Sequence, residues 1–77
     1  MGHRKKKLFD SKHHIIPRSR GGKYSLENIA IVNAKKHNAY HELFYNKTPD
    51  EIVEFLVDKY WNGQWEHVDK AYRRNNE

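Results

Sequence analysis

The residues of this chain that could do chemistry are histidines, and most of them lie close together. Of six histidines, four fall in one stretch: the pair His13-His14, then His37 and His41. Imidazole is a good ligand for zinc and transition metals, and neutral imidazole also serves as a base near pH 7. The stretch therefore predicts a metal site with an additional base beside it.

The spacing of these histidines suits one helix and one strand. His37 and His41 are four residues apart, so on a helix they lie on one face and can bind the same ion. A third ligand can come from a strand, and His13 satisfies that arrangement. Because side chains alternate across a strand, His13 and His14 cannot both face the metal. One of the pair can bind the ion while the other accepts a proton.

A hairpin followed by a helix is predicted around the histidines. The run from His13 to Ile16 is typical of a short strand, and residues 28–32 of a second one. The loop between them, residues 17–27, contains glycines that permit positive φ. Asn33 is suited to cap a helix that would pack on the hairpin through Leu43 and its neighbours.

Two more helices are predicted after this unit. Thr48, Pro49 and Glu51 form a capping box with proline in the first turn, so a helix begins there. Its apolar face over residues 52–60 is broad, which indicates burial between two layers or a homodimer or larger assembly. A final short helix is indicated by aromatic and apolar residues at helical spacing, which we expect in the core: Trp65, Val68, Ala71 and Tyr72.

Length and composition restrict the class of protein. With 77 residues and no cysteine, the chain forms one domain without disulfides or thiolate zinc sites. Its apolar runs are too short to cross a bilayer, so we expect a soluble protein without a membrane partner. The expected layout is a flexible basic arm (residues 1–9), a core unit (12–46) and a helical extension (48–74).

The positive charge is concentrated at the N-terminal end. The net charge is +5, yet residues 1–23 carry eight Lys or Arg against Asp10 alone, and residues 48–77 carry four basic and seven acidic side chains. Such a basic edge favours binding to a polyanion such as DNA or RNA, although a solvated tail has the same composition. The candidate nucleic-acid contacts are the basic residues of the arm and the loop: Arg4, Lys5, Lys6, Lys7, Arg18, Arg20 and Lys23.

The run KHHIIPRSRGGKYSLENIAIVNAKKHNAYHELF resembles the HNH endonuclease family. Within that family it is most similar to the branch with a double histidine and an HxxxH helix, which includes the nuclease colicins. The resemblance covers roughly residues 10–46 and includes the histidine pair, the glycine loop, Asn28 and both helix histidines in order. It implies an α+β fold, the ββα-metal finger, here a two-stranded antiparallel hairpin plus helix with additional C-terminal helices.

The resemblance also implies a role for five residues. His14 is implied to be the general base that activates water. Asn28 is implied to tie down the hairpin loop and so hold that base in position. His13, His37 and His41 are the implied ligands of one divalent metal ion.

Two departures from the wider family affect the metal and the stability. Many members have Asp in place of His13, and many carry a zinc knuckle of paired cysteines, which this chain lacks. An all-imidazole site suits zinc, nickel or manganese better than magnesium, so the metal stays open among these four. The helical extension must supply the stability that a zinc knuckle would otherwise provide.

These observations favour a metal-dependent endonuclease that hydrolyses DNA with low sequence preference. The resemblance implies nicking or double-strand cleavage that leaves a 5′-phosphate and a 3′-hydroxyl, in a bacterial or phage protein. We expect an intracellular location, with a secreted toxin domain as the other possibility. The rival interpretation is a non-catalytic nucleic-acid-binding module with a structural zinc. A free His14 beside an arginine-rich loop favours the enzyme, because a structural site does not need it.

Overall fold

A computed structural model describes residues 9–76 of the chain. The hairpin is followed by three helices: β1 (Asp10–His14), β2 (Ile29–Asn33), α1 (Ala34–Phe44), α2 (Pro49–Tyr60) and α3 (Glu66–Asn76). This is the α+β arrangement that the sequence predicted, a two-stranded antiparallel hairpin with a helix and further helices after it. The basic side chains expected in the arm lie outside the described residues: Arg4, Lys5, Lys6 and Lys7.

The two strands pair antiparallel, with His14 opposite Ile29 at the loop end. The predicted first strand, His13 to Ile16, is wrong in its bounds, because β1 begins earlier and ends at His14. The reason lies in Asn28, whose backbone N–H donates to the carbonyl oxygen of Ser25 at 2.9 Å instead of to the opposite strand, although its own carbonyl oxygen still accepts from the N–H of Ile15 at 2.8 Å. The ladder therefore loses its next reciprocal pair and stops at His14.

Helix α1 follows β2 with no residue between them. Asn33 caps it as predicted, its Oδ1 accepting a hydrogen bond of 3.1 Å from a backbone N–H in the first turn. The helix packs against both strands. Packing through Leu43 is a wrong expectation, because that side chain is 58% exposed. Tyr40 faces the hairpin instead, with its ring centroid 4.6 Å from that of His13.

Helix α2 begins with the predicted capping arrangement. Pro49 lies in the first turn, and the backbone N–H of Thr48 donates to Oε1 of Glu51 at 3.0 Å. Phe55 on this helix meets Phe44 of α1, with ring centroids 6.2 Å apart and the rings nearly perpendicular. This contact joins the helical extension to the hairpin unit.

The buried apolar core within residues 9–76 is small, and it consists of Ile29, Ile52 and Val57. The expectation that the later aromatic residues lie in the core is wrong for Trp65 and Tyr72, since each is more than half exposed. A domain of this size has too little interior to cover every apolar face. Whether another copy covers the rest of residues 52–60 stays a prediction. No helix between residues 9 and 76 is long and apolar enough to span a membrane.

Candidate active site

Three imidazoles meet where α1 packs against β1. His13 belongs to β1, and His37 and His41 lie one turn apart on α1. Nδ1 of His13 is 3.2 Å from Nε2 of His37, and Nε2 of His41 is 2.8 Å from that same atom. The three candidate ligand atoms all lie within 4.8 Å of one another. The fold therefore gathers the strand histidine and the two helix histidines into one group, here called the histidine cluster.

Neighbouring groups hold the outer nitrogens of the cluster. Nδ1 of His41 lies 3.3 Å from the backbone oxygen of Tyr45, and because a carbonyl oxygen only accepts, His41 donates from Nδ1 in this contact. Its Nε2 then carries the lone pair that faces His37. Nδ1 of His37 lies 2.7 Å from Oγ of Ser11. The hydroxyl oxygen can accept a hydrogen bond from this nitrogen when the ring carries its proton there, which leaves the lone pair of His37 on Nε2. Contacts of this kind orient the rings of metal-binding histidines and select their tautomers.

Sequence reasoning missed both of these partners. Ser11 could have been found, because residues two apart on a strand share a face, and Ser11 stands two residues before His13. The contact from Tyr45 comes from a backbone carbonyl, so the type of side chain at that position carries no signal for it. Tyr45 takes a positive φ of 52° immediately after α1.

The cluster favours neutral imidazoles. Burial lowers the pKa of His13, and the nearby His37, His41 and His14 lower it further. The pKa of His37 is lowered by burial and then by His41. A histidine binds metal only through an unprotonated nitrogen, so these shifts hold the ligands in their binding form to lower pH.

The donor set fits one divalent transition metal or zinc ion. Nε2 of His41 directs its lone pair at Nε2 of His37 from 2.8 Å. Nδ1 of His13 also lies close to that atom, at 3.2 Å. Converging lone pairs of this kind are satisfied by a shared proton or by a cation. Three protein ligands is the number typical of catalytic zinc sites, whereas structural zinc sites usually have four.

His14 stands apart from the cluster although it is next to His13 in the chain. As adjacent residues of one strand they project to opposite faces. The ring of His14 contacts Tyr24 of the loop edge-on, with centroids 5.6 Å apart. Its Nε2 is covered by protein atoms and has no hydrogen-bond partner among the described residues. A buried polar atom without a partner is unfavourable by about 1–3 kcal/mol, so this nitrogen would be stabilised by a hydrogen bond that the described residues do not supply.

Asn28 joins the two ends of the loop between the strands. Its Oδ1 accepts from the N–H of Ile16 at 2.7 Å, and its Nδ2 donates to the carbonyl oxygens of Ile16 at 3.1 Å and Lys23 at 2.8 Å. The backbone oxygen of Asn28 also accepts from the N–H of Ile15 at 2.8 Å. Asn28 therefore binds both N–H groups and a carbonyl oxygen of the segment that follows His14, and so fixes its position.

The loop itself is closed by its two glycines. Gly21 has the left-handed φ of 92°, and the N–H of Gly22 donates to the carbonyl oxygen of Pro17 at 2.9 Å. Gly22 lies so close to the end of β1 that a Cβ there would stand 1.7 Å from the carbonyl oxygen of Ile16. Glycine is required at Gly21 by conformation and at Gly22 by space.

The protein family of this chain is identified by comparison with family models. The model of the HNH endonuclease family matches residues 3–43, which is more than half of the chain and includes the histidine cluster, His14 and Asn28. The chain belongs to the HNH endonuclease family. No curated protein and no solved structure gives a significant match. The membership rests on the family pattern, and the described hairpin and helix agree with it.

The basic loop residues of this HNH domain differ in their surroundings. The side chains of Arg18 and Lys23 are exposed and form no ion pair with another residue between 9 and 76. Arg20 is engaged: its Nη1 and Nη2 donate to the two carboxylate oxygens of Glu51, each at 2.8 Å. A phosphate would have to compete with that carboxylate for Arg20, whereas Arg18 and Lys23 can meet one directly.

Proposed function

We propose that this HNH protein is a metal-dependent endonuclease that hydrolyses DNA phosphodiester bonds with low sequence preference. The observation that carries the proposal is the convergence of His13, His37 and His41 within 4.8 Å, with a further histidine, His14, next to His13 in the chain. An open three-imidazole site with an adjacent base is suited to hydrolysis by activated water.

The side chains of the chain divide the reaction between them. His13, His37 and His41 would hold the ion, and its positive charge would offset the negative charge that develops on the phosphate during hydrolysis. His14 takes a proton from the water whose oxygen attacks phosphorus. The bond from phosphorus to the 3′-oxygen breaks, that oxygen takes a proton from solvent water, and His14 returns its proton to solvent, which leaves a 3′-hydroxyl and a 5′-phosphate.

Other residues orient the base and the substrate. Asn28 holds the segment after His14, and the ring of Tyr24 lies against the imidazole. Arg18 and Lys23 are exposed, so they can bind flanking phosphates. Phosphate contacts position nucleic acid without distinguishing one base from another, which supports a low sequence preference.

Plasmid cleavage tests this proposal. The wild-type protein, supplied in turn with Mg²⁺, Mn²⁺, Ni²⁺ or Zn²⁺, is expected to convert supercoiled plasmid to nicked or linear forms. His14→Ala should lower the rate by about 10²–10⁴-fold, the usual contribution of a general base, while it retains metal and DNA binding. His67→Ala is the matched control, because His67 is an exposed histidine on α3 that contacts Gln64. Cleavage by His14→Ala at the wild-type rate would show that the base assignment is wrong.

A second candidate function is a nucleic-acid-binding module with a structural zinc. Two observations favour it: the small buried core, which a metal would supplement, and the covered Nε2 of His14. Catalytic hydrogen bonds are often long or poorly aligned in proteins without substrate, so the missing partner of this nitrogen is compatible with catalysis. Intact plasmid with every metal, together with loss of folding in His37→Ala, would support the binding module.

A further inference from the structure

An ion pair fastens the tip of the loop between the strands to helix α2. Nη1 and Nη2 of Arg20 donate to Oε1 and Oε2 of Glu51 at 2.8 Å each, which is a bidentate contact. Asn46, just before α2, adds two longer contacts of 3.4 Å: its carbonyl accepts from Arg20, and its Nδ2 donates to Oγ of Ser19. These groups, called the loop latch below, connect residues that are 31 positions apart.

Glu51 is a fixed point for this latch. Its Oε1 also accepts the backbone N–H of Thr48 at 3.0 Å, so the same carboxylate caps α2 and holds the loop. The hydrogen bonds from Arg20 and then from Thr48 lower the pKa of Glu51 to about 2. The carboxylate is therefore ionised at any pH at which the protein would act on DNA.

Backbone contacts within the loop connect Arg20 to the residues that follow β1. The backbone N–H groups of Arg20 and Gly22 both donate to the carbonyl oxygen of Pro17, each at 2.9 Å. Gly22 lies against the carbonyl of Ile16, where no Cβ would fit, and Asn28 binds Ile16 from the other side. The loop tip and the segment that follows His14 therefore form one connected unit, and α2 fixes the position of that unit.

We propose that Arg20 and Glu51 are positioning residues for His14, rather than Arg20 being a phosphate contact. The inference rests on the proposed function, because it assigns the ion pair to the placement of the candidate base. Both side chains are about a third exposed, at 38% and 34%. An ion pair with that exposure contributes little to global stability, so its effect is expected in the local geometry of the loop.

The alternative role of Arg20 makes the opposite prediction for Glu51. If Arg20 bound a DNA phosphate, removing the competing carboxylate would free it, tighten DNA binding and steepen the salt dependence by about one phosphate contact. If the pair positions His14, Glu51→Gln and Arg20→Ala should act alike. Glu51→Gln is the preferred variant, because its remaining carbonyl oxygen can still cap the N–H of Thr48.

The experiment compares cleavage kinetics of the full chain carrying each variant and both together. We expect kcat to fall by about 10- to 100-fold in either variant, since a displaced catalytic group loses rate on this scale. KM and the salt dependence should stay near wild-type values, and the double variant should be no worse than either single one. Arg20→Lys should stay impaired, because an ammonium group cannot form the bidentate contact. Arg73→Ala is the control, since it removes the exposed pair with Asp69.

Amide hydrogen exchange gives a readout that does not require activity. Exchange at the N–H groups of Ile16, Arg20 and Gly22 should accelerate in Glu51→Gln and Arg20→Ala, with little change in the unfolding midpoint. Tighter DNA binding by Glu51→Gln, or a wild-type kcat in it, would overturn the positioning role. If the wild-type protein does not cut DNA, the proposed function fails, and exchange alone decides the latch: acceleration supports it and unchanged exchange overturns it.

Discussion

Replacing Gly22 by alanine should damage the loop far more than the same change at Gly21. The Cβ of an alanine at Gly22 would stand 1.7 Å from the carbonyl oxygen of Ile16, whereas separations under 3.0 Å are essentially never seen. One of the two backbone segments must therefore move by about 1.3 Å. The neighbour is backbone rather than a flexible side chain, so no rotamer change can relieve the contact.

The size of the effect follows from what that movement breaks. The N–H of Ile16 donates to Oδ1 of Asn28 at 2.7 Å, and a further 1.3 Å would take the pair beyond hydrogen-bonding distance. Each lost hydrogen bond is worth about 1 kcal/mol, and overpacking adds about 1–3 kcal/mol. We expect Gly22→Ala to lower the free energy of unfolding by about 2–4 kcal/mol, a large share of the total for a small domain.

Gly21→Ala is the matched comparison, because a Cβ there has no neighbour within 4 Å. It meets only the left-handed φ of 92°, a penalty of about 1–2 kcal/mol. Urea unfolding of both variants and the wild type, analysed at a common slope, measures the difference. Stability of Gly22→Ala within about 0.5 kcal/mol of wild type, the ordinary range for surface substitutions, would refute this account of the loop.

Three further outcomes test the site and the latch. Ser11→Ala should weaken metal binding by about 10- to 100-fold in calorimetry, because it removes the hydrogen-bond partner of His37; unchanged affinity would exclude that role. A metal that binds the cluster should, at 100 times its Kd, raise the unfolding free energy by about 2.7 kcal/mol in the wild type and by much less in His37→Ala. Since the pKa of Glu51 is lowered from 4.5 to about 2, its ionised form stabilises the fold above pH 4.5, by a small amount because solvent screens this exposed pair, and this stabilisation is lost as the pH falls toward 2. The stability difference between wild type and Glu51→Gln should shrink over that interval, and a constant difference would contradict the pairing.

Local signals in the sequence predicted the helices well. Asn33 caps α1 through a backbone N–H three residues later, and Thr48 and Glu51 cap α2 over the same distance. Contacts this short are encoded by residue type and spacing alone. The i,i+4 spacing of His37 and His41 likewise placed both rings on one helical face, and the strand brought His13 to them.

Contacts between distant segments could not be predicted from residue types. The charge of Arg20 suggested a phosphate ligand, but its carboxylate partner lies 31 positions away and only the fold brings the two together. The end of β1 was misplaced because the backbone N–H of Asn28 donates to the carbonyl oxygen of Ser25 and not to the opposite strand. Periodicity identified α3 correctly, yet it cannot say what covers a face, and Tyr72 is largely exposed.

Helix α1 follows β2 directly, so the number of residues at this junction fixes how the helix is rotated relative to the hairpin. Because Asn33 ends the strand and Ala34 begins the helix, one inserted residue at this junction would rotate α1 by about 100° and advance it by about 1.5 Å. The hairpin would stay paired, but His37 would swing away from His13. The number of residues between Asn28 and His37 therefore fixes where the helix histidines lie relative to the strand histidine. Length variation in this domain is therefore expected away from the β2–α1 junction.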